Sequence, residues 1–206
     1  MLRKVLLFAC AALALAGCVT AKNTLSIEDV ATLKYAGTEV RFSPDAVIYW
    51  GDGERAYAAS KGQPATESDT LAKTPEGQAY LRNAIATRVK TAMERNLGKS
   101  LKGTRPVRAV VTVKRVTIAS AIQRIVIGGN HEMGGDVTLT DARTGAALLS
   151  YEGQTTPSGA GQGIGGALID AALLPDPIDR VTDNYALRYA SWLTRYEPAD
   201  MAAVAR

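Results

Sequence analysis

The feature that most constrains the fold is a long amphipathic segment followed closely by a strand-like segment. Apolar side chains recur there at spacings of three and four residues, which predicts one buried stripe on a helix: Leu81, Ile85, Val89, Ala92, Met93 and Leu97. Thr74 suits the N-cap, Pro75 the first helical position and Gly98 a left-handed C-cap. From Val107 onward, apolar residues alternate with polar ones, which predicts a strand whose inner face lies under that helix.

Shorter patterns lie on both sides of this pair. Residues 38–42 and 46–50 are rich in β-branched and aromatic side chains and flank Ser43-Pro44-Asp45, which predicts two strands joined by a turn. Residues 54–73 show little apolar periodicity and predict an exposed loop. Residues 136–151 alternate on either side of a short segment that ends at Gly145, which predicts a hairpin.

The alternation after Val107 breaks at Lys114-Arg115, which predicts a β-bulge. The hairpin has two predicted arms, Asp136–Thr140 and Ala146–Tyr151. A second amphipathic helix is predicted from Asp176-Pro177 to about Arg195. This order of elements predicts an α+β fold, in which two main helices pack on one face of a mostly antiparallel sheet of about four to six strands.

The N-terminus carries a targeting signal. Arg3 and Lys4 precede the thirteen uncharged, mostly apolar residues Val5–Gly17. That stretch is too short for a membrane-spanning helix, which needs about 20 residues, and it fits the apolar region of a secretory signal. Residues 1–17 are therefore predicted to be a signal peptide.

Leu15-Ala16-Gly17-Cys18 resembles the lipobox of bacterial lipoproteins. The resemblance implies that Cys18 carries acyl chains and becomes the mature N-terminus, so the first partner is membrane lipid. Residues 18–33 would then be the lipidated cysteine and a tether, and residues 34–206 a periplasmic domain. Val19, where an inner-membrane retention signal would have Asp, favours the outer membrane. The alternative is ordinary cleavage near Ala14-Leu15-Ala16, which would leave Cys18 a free thiol.

The mature chain is nearly neutral. Without Arg3 and Lys4 the 24 basic residues fall to 22 against 20 acidic ones, a formal net charge of +2. No block of five or six like charges occurs, so neither nucleic acid nor an anionic lipid surface is predicted as a partner from charge. Cys10 leaves with the signal and Cys18 is consumed by lipid, which leaves the domain no thiol for a disulfide, a metal or a nucleophile.

A glycine-rich segment, residues 158–174, contains G-x-G-x-x-G at residues 161–166. We reject dinucleotide binding, and predict no cofactor, because the motif should directly follow a buried strand and Thr155–Gly159 intervenes. Two interpretations stay open: a flexible loop before a short apolar helix, and a partner or self-assembly segment whose small residues allow close approach. The residues of the second interpretation are Gly159, Gly161, Gly163, Gly165 and Gly166.

The remaining candidate groups favour structural roles. His131 is the only histidine, too few for a usual zinc site, and is interpreted as a loop residue that hydrogen-bonds to backbone. Four acids cluster near the last helix, where helix N-terminal acids are common, although a pair of glycosidase carboxylates stays open: Asp170, Asp176, Asp179 and Asp183. An aromatic stripe is interpreted as core: Tyr185, Tyr189, Trp192 and Tyr196. No catalytic or metal-binding residue is predicted.

The lipobox, the short tether, the α+β pattern, the glycine-rich stretch and the terminal helix together resemble small lipoproteins of proteobacteria. The folded part is similar to the domain at the N-terminus of the translocation protein TolB and to lipoprotein activators of peptidoglycan synthases. The resemblance implies a non-enzymatic binding or assembly module that is anchored in the outer membrane and has an envelope protein as partner. The alternatives are an exported hydrolase with dispersed carboxylates and a homo-oligomer assembled through residues 158–174.

Overall fold

The structure is a computed structural model that describes residues 22–119, 130–158 and 175–196. Its elements, in chain order, are α1 (Ile27–Thr32), β1 (Leu33–Trp50), α2 (Gly51–Ser60), a 3₁₀ turn (Ala65–Glu67), α3 (Ser68–Ala72), α4 (Pro75–Ser100), β2 (Arg105–Ile118), β3 (His131–Asp141), β4 (Ala147–Ser158) and α5 (Pro177–Thr194).

The four strands form one sheet in the order β1-β2-β3-β4. β1 runs parallel to β2, and the other two pairs are antiparallel. The long connection through α4 explains the parallel pair, because parallel neighbours need a crossover. The sheet is mixed and mostly antiparallel, which confirms the predicted α+β class.

α4 and α5 lie side by side and cover one face of the sheet. The alternate β2 residues Val107, Ala109, Val111 and Val113 are fully buried, and so is the predicted α4 stripe. At the start of α4 the Thr74 hydroxyl accepts a hydrogen bond from the Gly77 N–H at 3.1 Å, as the sequence predicts. The structure agrees with the prediction for these elements because each has a continuous apolar pattern in the sequence.

The predicted end of α4 at Gly98 is wrong. The helix continues to Ser100, and the N–H of the next residue, Leu101, donates to Leu97 O at 2.8 Å. Leu101 is 2% exposed, and burial of its side chain stabilises the continuation of the helix beyond Gly98.

The predicted turn at Ser43-Pro44-Asp45 is also wrong. Residues 38–42 and 46–50 belong to one 18-residue strand, β1, and the segment between them is a slip in register from Phe42 to Val47. Among the described strands, β1 pairs only with β2 and so lies at an edge. A proline, which lacks an N–H, is tolerated at an edge or an irregularity of this kind.

Residues 54–73 are not the loop that their weak periodicity predicts. They form the end of α2, the 3₁₀ turn and α3. Tyr57, Ala58 and Ala72 are buried, so these short helices are held by a few tertiary contacts and not by a continuous apolar stripe.

The bulge and the hairpin are confirmed. The pairing of β2 with β3 shifts register between Val113 and Arg115. In the turn between β3 and β4, Asp141 Oδ1 accepts from the N–H groups of Arg143 (3.0 Å) and Thr144 (3.2 Å), and Gly145 has φ 75°. That positive φ is the reason for a glycine there.

The domain has two opposite ends, which we call poles, and the directions of its helices and strands define them. α4 and α5 run the same way, since Arg88 pairs with Asp179 and Arg95 with Asp183. Both helices therefore end at the pole where β1 and β2 begin. We call this the N-terminal pole, residues 22–34, 99–105, 141–147 and 194–196. The opposite end is the far pole, residues 51–76, 117–119, 130–132, 156–158 and 175–177.

Candidate functional site

An open groove of about 520 Å³ lies between α4 and α5. Successive turns of the two helices line it because their side chains recur every three to four residues: Thr87, Arg88, Thr91, Ala92 and Arg95 from α4, and Pro175, Asp179, Thr182 and Asp183 from α5 and the residue before its N-cap. The groove is lined mainly by polar and charged side chains.

Two ion pairs cross the groove. Arg88 Nε lies 3.1 Å from Asp179 Oδ1, and Arg95 Nη1 lies 2.5 Å from Asp183 Oδ2. Arg88 also lies 4.9 Å from the centre of the Trp50 ring, so its guanidinium is held from two sides. The cations and carboxylates thus alternate along a fixed surface.

The acidic cluster predicted from sequence is divided by the structure. Asp179 and Asp183 face the groove, whereas Asp176 is the N-cap of α5 and its carboxylate accepts from the Ile178 N–H at 3.1 Å. Asp170 lies outside the described residues. Asp179 and Asp183 each form an ion pair with an arginine of α4, so the groove presents paired charges of both signs to a partner.

No metal site is found within residues 22–119, 130–158 and 175–196, where no three His, Cys, Asp or Glu side chains come together. His131 is fully buried at the first position of β3, and its Nδ1 accepts a hydrogen bond from the Ala119 N–H at 3.2 Å. The backbone hydrogen bond agrees with the prediction, but His131 belongs to a strand and not to a loop, because it pairs with Ser158 across the sheet.

The aromatic stripe of α5 is core at its centre. Tyr185 and Tyr189 are buried, and Tyr151 of β4 packs against Tyr189 and Trp192 with ring centres 5.5 and 4.7 Å apart. Burial raises the pKa of both Tyr185 and Tyr189 well above the ordinary value of a tyrosine. Tyr196 departs from the prediction, since it follows the helix and is 70% exposed.

The two poles carry opposite charge, which sequence reasoning missed. In the described residues the N-terminal pole holds three acids, Glu28, Asp29 and Asp141, and seven bases: Lys22, Lys34, Lys99, Lys102, Arg105, Arg143 and Arg195. The far pole holds three bases, Arg55, Lys61 and Lys73, and seven acids: Asp52, Glu54, Glu67, Asp69, Glu76, Glu132 and Asp176. The sequence shows no run of like charge for either pole, because the N-terminal pole combines four separate segments and acids and bases are mixed within residues 51–76 of the far pole.

The N-terminal segment is fastened to the end of α5. The Asn23 side-chain amide donates to Trp192 O at 3.1 Å and Leu193 O at 2.9 Å, and its oxygen accepts from the Leu25 N–H at 3.1 Å. Arg195 donates in return to Asn23 O and Leu25 O, at 3.3 and 2.6 Å. Within the described residues, Asn23 is thus already attached to the domain, although it lies inside the predicted tether of residues 18–33.

Cys18 and the glycines of the proposed assembly segment (Gly159, Gly161, Gly163, Gly165 and Gly166) lie outside the described residues. Within the described part, none of the helices is both long enough and apolar enough to cross a membrane.

Comparison of the sequence with protein-family models and with curated proteins finds no match. Among solved structures, the chain is similar to a candidate lipoprotein of Caulobacter crescentus CB15, with 15% identity, a TM-score of 0.33, and 54% of this chain and 82% of that one covered. It is also similar to PelC of Paraburkholderia phytofirmans, a dodecamer, in two crystal forms with 13% and 10% identity and TM-scores of 0.30 and 0.31. The PelC matches cover 76% and 85% of this chain and 92% and 94% of PelC.

Proposed function

We propose that this chain is a lipoprotein of the outer membrane, anchored through Cys18 and facing the periplasm. Its α+β domain acts there as a non-enzymatic module that binds or assembles with an envelope protein. The lipobox-like segment ending at Cys18 supports the anchor. The charged groove between α4 and α5 is the observation that carries the binding function.

The groove supports binding for two reasons. Its arginines and carboxylates alternate, so a partner with complementary charges can exchange these ion pairs for pairs of its own. Its exposed residues Thr87 and Thr91 lie on α4, a 26-residue helix packed on the sheet, so the surface is presented on a rigid element.

Photo-crosslinking in cells tests this function. A photoreactive amino acid replaces Thr91, which lines the groove, or Ser150, an exposed residue of β4 that serves as the matched control. We expect a discrete envelope protein to be crosslinked from position 91 and not from position 150. Cys18→Ala should abolish the crosslink, because the unanchored chain no longer resides at the membrane.

Three results would contradict the proposal. Equal crosslinking from positions 91 and 150 would remove the groove from the binding surface. Crosslinks only to the chain itself would favour self-assembly. Turnover of a cell-wall or ester substrate that Asp179→Asn or Asp183→Asn abolishes would favour the hydrolase alternative.

A further inference from the structure

We infer that the N-terminal pole is a membrane-contact surface that rests on the anionic phospholipid headgroups of the bilayer holding Cys18, with the far pole directed away from that bilayer. The inference rests on the proposed lipid anchor and adds to it the face of the domain that meets the lipid.

The length of chain between the anchor and the domain supports this orientation. Four residues lie between Cys18 and Asn23, and the five Cα–Cα steps that join these two residues span at most about 18 Å when fully extended. Asn23 is fixed to the end of α5, so this pole stays near the lipid. α4 runs from the far pole to the N-terminal pole, and its 26 residues are about 39 Å long.

The charge of the two poles favours the same orientation. The tether alone would allow the domain to tip onto its side. Anionic headgroups attract Lys and Arg over about one Debye length, roughly 8 Å at physiological salt. The basic N-terminal pole is therefore drawn to the headgroups, and the acidic far pole is repelled from them.

One pair of residues has a charge arrangement that folding does not explain. Lys34 and Lys102 are partners in an isolated antiparallel bridge, and both side chains are exposed. Like charges directly opposite each other destabilise a pair of strands. An anionic headgroup beside the two ammonium groups would offset this repulsion, so the arrangement fits a lipid-facing surface.

The apolar residues of this pole fit an interface between headgroups and acyl chains. Ile27 is 63% exposed and Tyr196 is 70% exposed. They are two of the four exposed large hydrophobic residues in the described part of the chain, and both lie beside the fastened N-terminal segment. An apolar side chain and an amphipathic ring among basic residues are typical of a surface that lies in a membrane interface.

The test measures which pole touches lipid. The full-length protein is purified from membranes in its lipidated form, with a single added cysteine at Ile27 (N-terminal pole) or Ala59 (far pole), and labelled with a fluorophore. It is then reconstituted into vesicles of phosphatidylethanolamine and phosphatidylglycerol that contain a headgroup quencher. We expect quenching at position 27 to exceed that at position 59 several-fold.

Charge reversal tests the role of the anionic headgroups. Lys34→Glu with Lys102→Glu should remove most of the quenching at position 27. The matched control is Lys90→Glu with Arg108→Glu. These two residues lie between the poles, so the control changes the net charge by the same amount and should leave the quenching intact. Vesicles of phosphatidylcholine alone should reproduce the loss seen with the first pair.

The outcomes separate this inference from the anchor itself. Equal quenching at positions 27 and 59 in a protein that mass spectrometry shows to be acylated would overturn the orientation while the lipoprotein assignment stands. Equal quenching at position 27 in neutral and anionic vesicles would overturn recognition of anionic headgroups. A chain without acylation at Cys18 would overturn the proposed function, and this inference with it.

Discussion

Asn23→Ala should lower the free energy of unfolding by about 2 kcal/mol. The Asn23 side chain makes three hydrogen bonds, to Trp192 O, Leu193 O and the Leu25 N–H. Each intramolecular hydrogen bond contributes about 0.5–1.5 kcal/mol net. The three are partly buried and are lost together, and water can reach part of the helix end, so the lower half of the summed range applies. For a domain of this size the loss corresponds to a fall of roughly 4–8 °C in Tm.

The assay is urea unfolding of the mature chain with Cys18→Ala, followed by circular dichroism. Asn83→Ala is the matched control, because Asn83 is an exposed α4 residue whose backbone oxygen, and not its amide, accepts the Thr87 hydroxyl. Asn23→Asp keeps the acceptor for Leu25 but places a negative charge at the C-terminal end of α5, where the helix dipole is also negative. We therefore expect the aspartate variant to be at least as unstable as the alanine variant.

The reasoning would be refuted if Asn23→Ala unfolded within about 0.5 kcal/mol of the parent, the range typical of surface substitutions. It would also fail if the aspartate variant were the more stable of the two, since the donor groups to Trp192 O and Leu193 O would then contribute nothing.

Three further perturbations have expected outcomes. Gly135→Ala should lower the unfolding free energy by about 3 kcal/mol in the same urea assay, because its Cβ would lie 2.4 Å from Thr112 O. Stability should fall above pH of about 10 as tyrosines ionise in the unfolded chain, since burial raises the pKa of Tyr189 in the fold; Tyr189→Phe should reduce that slope in alkaline melting curves. Hydrogen bonds from the Arg143 N–H and other donors lower the pKa of the Asp141 carboxyl in the folded protein. The stabilisation from these bonds is therefore complete above the unfolded-state pKa and is lost as pH falls through the folded-state pKa. Asp141→Asn should reduce this loss of stability at acid pH.

The elements that could be predicted from sequence are those with a complete local pattern. α4 and α5 each combine a cap, a proline at the first position and a continuous stripe, and the β3–β4 hairpin has its turn residues in place. α2 and α3 lack such a pattern. They are held to the rest of the fold by a few buried residues, among them Tyr57 and Ala72. The sequence pattern predicts a break in β1 because Pro44 is typical of a turn, whereas the strand continues because Pro44 lies at an irregularity of an edge strand.

The candidate groove was predictable only in part. The spacing of Asp179 and Asp183 places both carboxylates on one face of a helix, and the sequence shows this. Their partners Arg88 and Arg95 lie some ninety residues earlier, and no local signal joins them. The same holds for the two poles, because a net charge of +2 on the mature chain says nothing about where the charges gather once the strands and helices share a direction.

The charged residues of the poles are of two kinds: some stabilise the ends of helices, and others lie where no helix dipole acts on them. α4 ends at the N-terminal pole, where Lys99 stabilises the negative end of its dipole, while Glu76 and Asp176 act on the positive ends of α4 and α5 at the far pole. Lys34 and Lys102 lie at a strand start and in a connection, where the dipole of a sheet is small. Lys99→Glu should therefore lower the unfolding free energy by about 0.3–1 kcal/mol. Lys34→Glu alone should leave stability unchanged or raise it, because it replaces a repulsion with an ion pair, yet weaken contact with anionic vesicles. A loss of stability in Lys34→Glu with vesicle contact intact would show that the basic pole serves the fold and not the membrane.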